Sequence, residues 1–185
     1  MSTVARFTLE EFDRMVDAAV FNPDRRIELI FGALHEMSPV GPRHRRIVVL
    51  LTEWANDLTA GLRDRLAVQV QSPLRLQAQS SGPIPDMSWI DRQCLDATVL
   101  AQDKVLLVIE VADSTLPLDR GRKSKLYAKA GVPDYWIVNL VDNCVEVRRD
   151  PKGTRYQTIT THSAGEEIRP LLFPECPLRI GLLFG

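Results

Sequence analysis

The sequence predicts an α/β (α+β) fold: a mixed β-sheet flanked by helices, with an N-terminal helix and a β-hairpin. Three observations carry this. The apolar run Val105–Ala112, a helical stretch from Asp119 to Ala130 stopped by Gly131-Val-Pro133, and a second apolar run Tyr135–Val138 form a strand–helix–strand unit. Such a crossover makes its two strands parallel. Upstream, Ile47, Leu50, Leu51, Trp54, Leu58 and Leu62 recur every three or four residues, the spacing of an amphipathic helix. Downstream, Val145–Val147 and Tyr156–Thr160 alternate as strands of an antiparallel extension after a turn at Asn143. With 185 residues, the chain suits one domain with a sizeable core.

Thr8-Leu-Glu-Glu11 reads as a capping box, and Leu9, Phe12, Met15 and Val16 follow at helical spacing, which predicts a helix over Thr8–Ala18. Arg26–Phe31 reads as a strand, Gly32 permits a tight turn, and Ala33–Met37 returns as the hairpin partner. Thr52, Glu53, Asn56 and Asp57 form the wet face of the next helix. Leu66–Gln71 alternates as a strand, Pro73 interrupts it, and Leu74–Leu76 continues the sheet. Gln77–Pro83 is a polar loop, Asp86–Ile90 a short strand, and Asp91–Gln102 a mixed connection. The tail, with Pro170, Pro174 and Pro177, reads as loop-rich.

One residue is out of place. Glu110 sits among Leu106, Leu107, Val108, Ile109 and Val111. Burying an ionised carboxylate costs several kcal/mol unless it is paired or bound to a metal. Side chains alternate across a strand, so Glu110 and Ala112 share one face and Ile109 and Val111 the other. Asp86 begins the preceding strand and can lie beside Glu110. Two carboxylates converging from adjacent strands make a hard-oxygen site of the kind Mg²⁺ (or Mn²⁺) occupies. Lys123, Tyr127 and Ala130 fall on one helix face and Lys125 on the opposite side, so Lys123 is the candidate ammonium. Asp119 reads as the N-cap of that helix, and Trp54, Trp89 and Trp136 as core.

Arg26-Ile-Glu28-Leu-Ile-Phe-Gly32, Met37-Ser-Pro39, Gly41-Pro-Arg-His44, Pro85-Asp86, Val108-Ile-Glu110-Val, Ser114-Thr, Asp119, Lys123-Ser-Lys-Leu-Tyr127 and Gly131-Val-Pro-Asp-Tyr-Trp-Ile-Val138 occur in this order. Together they resemble the Uma-type restriction endonuclease family of the PD-(D/E)xK nuclease superfamily, over about residues 8 to 160. The resemblance implies a restriction-endonuclease-like core and metal-dependent DNA cleavage. Asp86 and Glu110 match the family's metal carboxylates, Glu28 its upstream acid, and Lys123 a lysine displaced onto the helix; on this reading Glu28, Asp86 and Glu110 hold the metal and Lys123 assists water attack on a phosphodiester. The superfamily's usual lysine, two residues after the glutamate, is Ala112 here. For Glu28, a cross-strand pair with an Arg or Lys is the alternative.

Net charge is −1, so no global basic field points to nucleic acid. Local clusters do exist. Arg43, His44, Arg45 and Arg46 open one helix and Arg120, Arg122 and Lys125 lie on another. Arg43, His44, Arg45 and Arg122 are the candidate contacts to DNA phosphates. No long uncharged apolar run or signal-peptide core is present, so no membrane partner is expected. Cys94, Cys144 and Cys176 show no metal spacing, which suits structural thiols in a reducing cytoplasm. The Trp136 strand and the proline-bounded tail are candidate surfaces for a homodimer. Two other functions fit the same residues: a catalytically silent nuclease-fold module binding nucleic acid or a protein partner, and a glycosidase using Glu110 and Asp86 as acid and base. The second lacks an aromatic cluster near the acids.

Overall fold

The computed structural model describes residues 4–99 and 102–185. The first three residues and part of the Asp91–Gln102 connection lie outside them. Helix α1 (Leu9–Asp17) is closed by the expected box: the Glu11 N–H donates to Thr8 Oγ1 at 3.1 Å, and the Thr8 N–H donates to Glu11 Oε2 at 2.8 Å. Strands β1 (Ile27–Ile30) and β2 (Ala33–Glu36) form a separate antiparallel hairpin. Its two turn residues, Phe31 and Gly32, both have positive φ (49° and 72°), as a type I′ turn requires. A Cβ on Gly32 would lie 2.8 Å from the Phe7 carbonyl oxygen. Gly32→Ala is therefore expected to destabilise the fold by about 1–3 kcal/mol, measured by urea unfolding.

The six-stranded sheet runs β3-β4-β5-β6-β7-β8. Its strands are β3 (Leu66–Val70), β4 (Met87–Asp91), β5 (Val105–Ala112), β6 (Asp134–Asn139), β7 (Cys144–Lys152) and β8 (Arg155–Ser163). Only β5 and β6 pair in parallel, with Glu110 opposite Ile137. Helix α2 (Pro42–Thr59) covers one face, where Ile47, Leu51 and Trp54 pack on Trp89, Ile109, Val111 and Trp136. The Trp54 and Trp89 rings stack at 5.2 Å. The other face is covered by the helical crossover between β5 and β6, through Leu126, Tyr127 and Ala130 against Val108, Ala112, Tyr135 and Ile137. The alternation expected along β5 is thus realised: Ile109 and Val111 face α2, and Glu110 and Ala112 face the crossover.

Several expectations are corrected. Leu74–Leu76 does not extend the sheet. Gln71 adopts φ 48°, Pro73 offers no N–H, and the chain folds back so that Leu76 bridges Ser81 and Gly82 bridges Leu29. The crossover starts earlier than Asp119. It consists of α3 (Leu116–Leu118), a π turn (Asp119–Lys123) and α4 (Ser124–Lys129), so Asp119 is interior and not an N-cap. The tail is loop-rich, as expected, and adds short elements: β9 (Glu167–Ile168) pairs with β10 (Leu178–Arg179), α5 (Gly181–Phe184) follows, and Phe173, Cys176, Leu178 and Ile180 join the α2-side core. Trp136 is fully buried in that core, which removes it as a dimer surface. Leu58, expected on the apolar helix face, is exposed, and Thr59 and Ala55 turn inward instead. Among the described residues, no helix is long and apolar enough to cross a membrane, and Cys94, Cys144 and Cys176 are free.

Candidate active site

The crossover, the β1–β2 hairpin and the ends of β4 and β5 enclose a cleft of about 270 Å³. Each wall delivers one acid. In the β4–β5 ladder Met87 pairs with Ile109, so one further step sets Asp86 beside Glu110. Glu28 projects from β1, and Asp119 and Lys123 come from the π turn. Such turns recur at functional sites because the extra residue re-aims the side chains around it. Glu28, Asp86, Glu110, Asp119 and Lys123 all line the cleft, and each is only 1–7% exposed.

Lys123 is the hub. Its Nζ donates to Glu110 Oε1 at 3.0 Å and lies 3.3 Å from Glu28 Oε2 and 3.9 Å from Asp119 Oδ1. The Tyr127 hydroxyl, one helical turn on, donates to the same Glu110 oxygen at 2.7 Å. Glu28 Oε2 also accepts the Ile84 N–H at 3.2 Å. Asp86 is held from three sides. Its Oδ2 accepts the Val111 N–H at 2.9 Å and lies 3.1 Å from His44 Nε2, and its Oδ1 accepts from Gln71 Nε2 at 3.2 Å.

These contacts split the acids. Burial pushes the Asp86 carboxyl up, but His44, the Val111 N–H and the Gln71 amide outweigh it and hold the group below its ordinary range. Glu110 goes the other way. Burial raises it, Lys123 opposes, and Asp119, Asp86 and Glu28 raise it further, leaving it well above an ordinary glutamate. Burial would discharge Lys123, yet Glu110, Glu28 and Asp119 more than offset that and keep it an ammonium. Lys123 therefore acts as a fixed positive charge and donor, not as a base.

Asp119 is raised to about 6, chiefly by burial, against the pull of Lys123 and Thr115. A raised carboxyl holds its proton more tightly folded than unfolded. Its contribution to stability is complete below pH about 4, falls through about 6 and stays low above. Asp119→Asn, which cannot titrate, is expected to gain on the parent by up to about 3 kcal/mol between pH 4 and pH 7, measured by urea unfolding at both.

The cleft brings together Glu28, Asp86, Glu110, Lys123 and His44. The other candidate contacts to DNA are dispersed. Arg43 donates to the Leu140 carbonyl at 2.6 Å and contacts Asn143, and Arg45 donates to the Val40 carbonyl at 3.1 Å. Arg122 is exposed beside His35, and Arg120 pairs with Glu146 at 2.6 Å. Tyr127, Asp119 and Gln71 belong to the constellation although their sequence context marked them as packing, cap and strand end. The signal for the first two was their four-residue spacing from Lys123.

The donor chemistry suits a hard divalent cation. Four buried carboxylates face one buried ammonium, and Asp119 Oδ1 has no hydrogen-bond donor. Among the described residues no three His, Cys, Asp or Glu side chains already converge as a metal cage. Mg²⁺ needs none, because it binds through one or two carboxylates and keeps its waters. Asp86 and Glu110, on neighbouring strands, are the pair that fits.

Comparison with known proteins bears on the family and the fold. The model of the Uma2 family, described as "Putative restriction endonuclease", matches residues 9–181. No curated protein matches the chain. Among solved structures, the crystal structure of a putative nuclease belonging to DUF820, from Anabaena variabilis, superposes with a TM-score of 0.76 at 17% identity, covering 96% of this chain and 97% of that one. The likeness is one of fold.

Proposed function

Because the chain belongs to the Uma2 family, we propose that it is a metal-dependent endonuclease that hydrolyses phosphodiester bonds of DNA. The observation that carries this is the cleft wall of four buried carboxylates, three of them around the one Lys123 ammonium and Asp86 beside them against His44. A protein built only for stability would not bury that imbalance, since an uncompensated buried charge costs several kcal/mol. In this proposal Asp86 and Glu110 hold Mg²⁺ (or Mn²⁺), and Glu28 adds negative charge beside them. The ion, when bound, would lower the pKa of water and polarise a phosphoryl oxygen. Asp86 is kept ionised and oriented by the Val111 N–H, Gln71 and His44. Lys123, fixed by Glu110 and Glu28, presents its charge to the negative charge that develops on the phosphoryl oxygens. Tyr127 fixes the Glu110 rotamer.

A labelled DNA duplex incubated with the protein is expected to be cut with Mg²⁺ or Mn²⁺ and left intact with EDTA. A gel shift on the same sample separates catalysis from binding. A duplex that is bound and never cut with either ion would overturn the enzyme and leave a nuclease-fold binding module.

A further inference from the structure

A nucleic-acid strand that reaches this cleft meets four carboxylates, so cations must hold it from alongside. The start of α2 is poorly placed for that. Arg43 and Arg45 donate to backbone carbonyls, and Arg46 donates to the Leu183 carbonyl at 3.2 Å. Two other guanidiniums are free of carboxylate partners among the described residues and sit close to the acids.

The first is Arg26. It is half-buried and lines the cleft, while its neighbour Arg25 pairs with Glu36 at 2.7 Å. The Met37 N–H donates to the Arg26 carbonyl at 2.8 Å, which continues the hairpin ladder past β1. Arg26 and Glu28 are two residues apart on this extended segment and so leave it on the same face. The second is Arg122, on the π turn next to Lys123. Its Nη1 lies 3.2 Å from Nε2 of His35, which is the cross-strand partner of Glu28 and shares its face. Burial, then Arg122, hold His35 below its ordinary range, so it serves as a neutral acceptor that orients the Arg122 fork.

We infer that Arg26 and Arg122, the latter anchored by His35, seat the phosphodiester backbone of a nucleic acid on the β1–β2 hairpin, beside Glu28 and Lys123. This rests on the proposed nuclease function and adds where the strand lies: across the hairpin, not along the start of α2. Guanidinium forks match phosphate oxygens and carry no sequence preference, so the strip positions the substrate without reading it.

The test is fluorescence anisotropy of a labelled DNA duplex with Mg²⁺ present, over a range of salt, in the Glu110→Gln background, which is expected not to cut. Arg26→Gln and Arg122→Gln should each weaken binding by about 10-fold and flatten the log affinity–log salt slope by about 1. Arg26→Lys keeps the charge and should keep the slope. Arg92→Gln, beyond the opposite end of β4, should bind like its background. Melting temperatures of all four variants should match the background, since these side chains are exposed or half-buried. An Arg26→Gln/Arg122→Gln double variant with unchanged affinity and slope would overturn the strip, and the nuclease would stand if the parent cuts DNA. No binding in the background and no cutting by the parent would overturn both.

Discussion

Glu110→Gln is expected to cut DNA at least about 10²–10³-fold more slowly than the parent and yet to melt at a higher temperature at pH 8. The two effects have one cause. Glu110 is buried with Asp86, Glu28 and Asp119 nearby, and its folded-state pKa is raised well above the ordinary value, with burial the largest contribution. A raised carboxyl contributes its full stability at acid pH and loses it as pH rises through the folded pKa. At pH 8 the parent carries that loss and the amide does not. The glutamine oxygen can still accept from Lys123 and Tyr127, so the local hydrogen bonds survive. The advantage of the variant should shrink as the pH is lowered and Glu110 in the parent takes up its proton. Gain of stability with loss of function is the signature of a strained functional site. A variant that melts lower at pH 8, or cuts at the parental rate, would contradict the role given to Glu110.

Lys123→Met should have the largest effect on the fold. Removing one partner of a buried ionic cluster typically costs about 3–5 kcal/mol, because the remaining charges stay buried without compensation. Here Glu28, Glu110 and Asp119 would all lose the ammonium that lies 3.0–3.9 Å from them. The deficit should be greatest at pH 8 and smaller at pH 5, where Glu110 and Asp119 can be protonated. Mg²⁺ should recover part of it by supplying positive charge to the same acids, and should stabilise this variant more than the parent. Cleavage should be lost with or without that recovery. Urea unfolding at both pH values, with and without Mg²⁺, checks each statement. Parental stability at pH 8 would show that the cluster is not the charge-frustrated site described above.

Much of this was legible in the chain because it depends on local periodicity. The period of two along β5 placed Glu110 opposite the α2 face, and the helical period put Lys123 and Tyr127 together with Lys125 outside. The parallel pairing of β5 and β6 followed from the crossover between them. What was hidden depends on distant contacts or on departures from regular geometry. Asp119 looked like an N-cap because an aspartate oxygen can accept from the free N–H groups where a helical pattern begins. The real start is upstream at Leu116, and the π turn that buries Asp119 has no sequence signature. His44 was placed on DNA, and the fold brings it to Asp86, 42 residues away, through the packing of α2 on the sheet. The packing of the loop-rich tail was hidden because its apolar residues follow no period. Pro170, Pro174 and Pro177 interrupt it, yet Phe173, Cys176 and Leu178 still seal the core. Trp136 reads as core in the sequence and is enclosed by Trp54 of α2, so its strand offers no dimer surface.

The central claim is that the acids around Lys123 form a metal-dependent nuclease site. The most direct measurement is nicking of supercoiled plasmid across a Mg²⁺ titration, parent beside Glu110→Gln, with an EDTA control. The expected result is nicking by the parent that rises with Mg²⁺ and saturates, none with EDTA, and nicking by the variant at least about 10²-fold slower at every Mg²⁺ concentration. Nicking that persists in EDTA, or that the variant performs as fast as the parent, would contradict it.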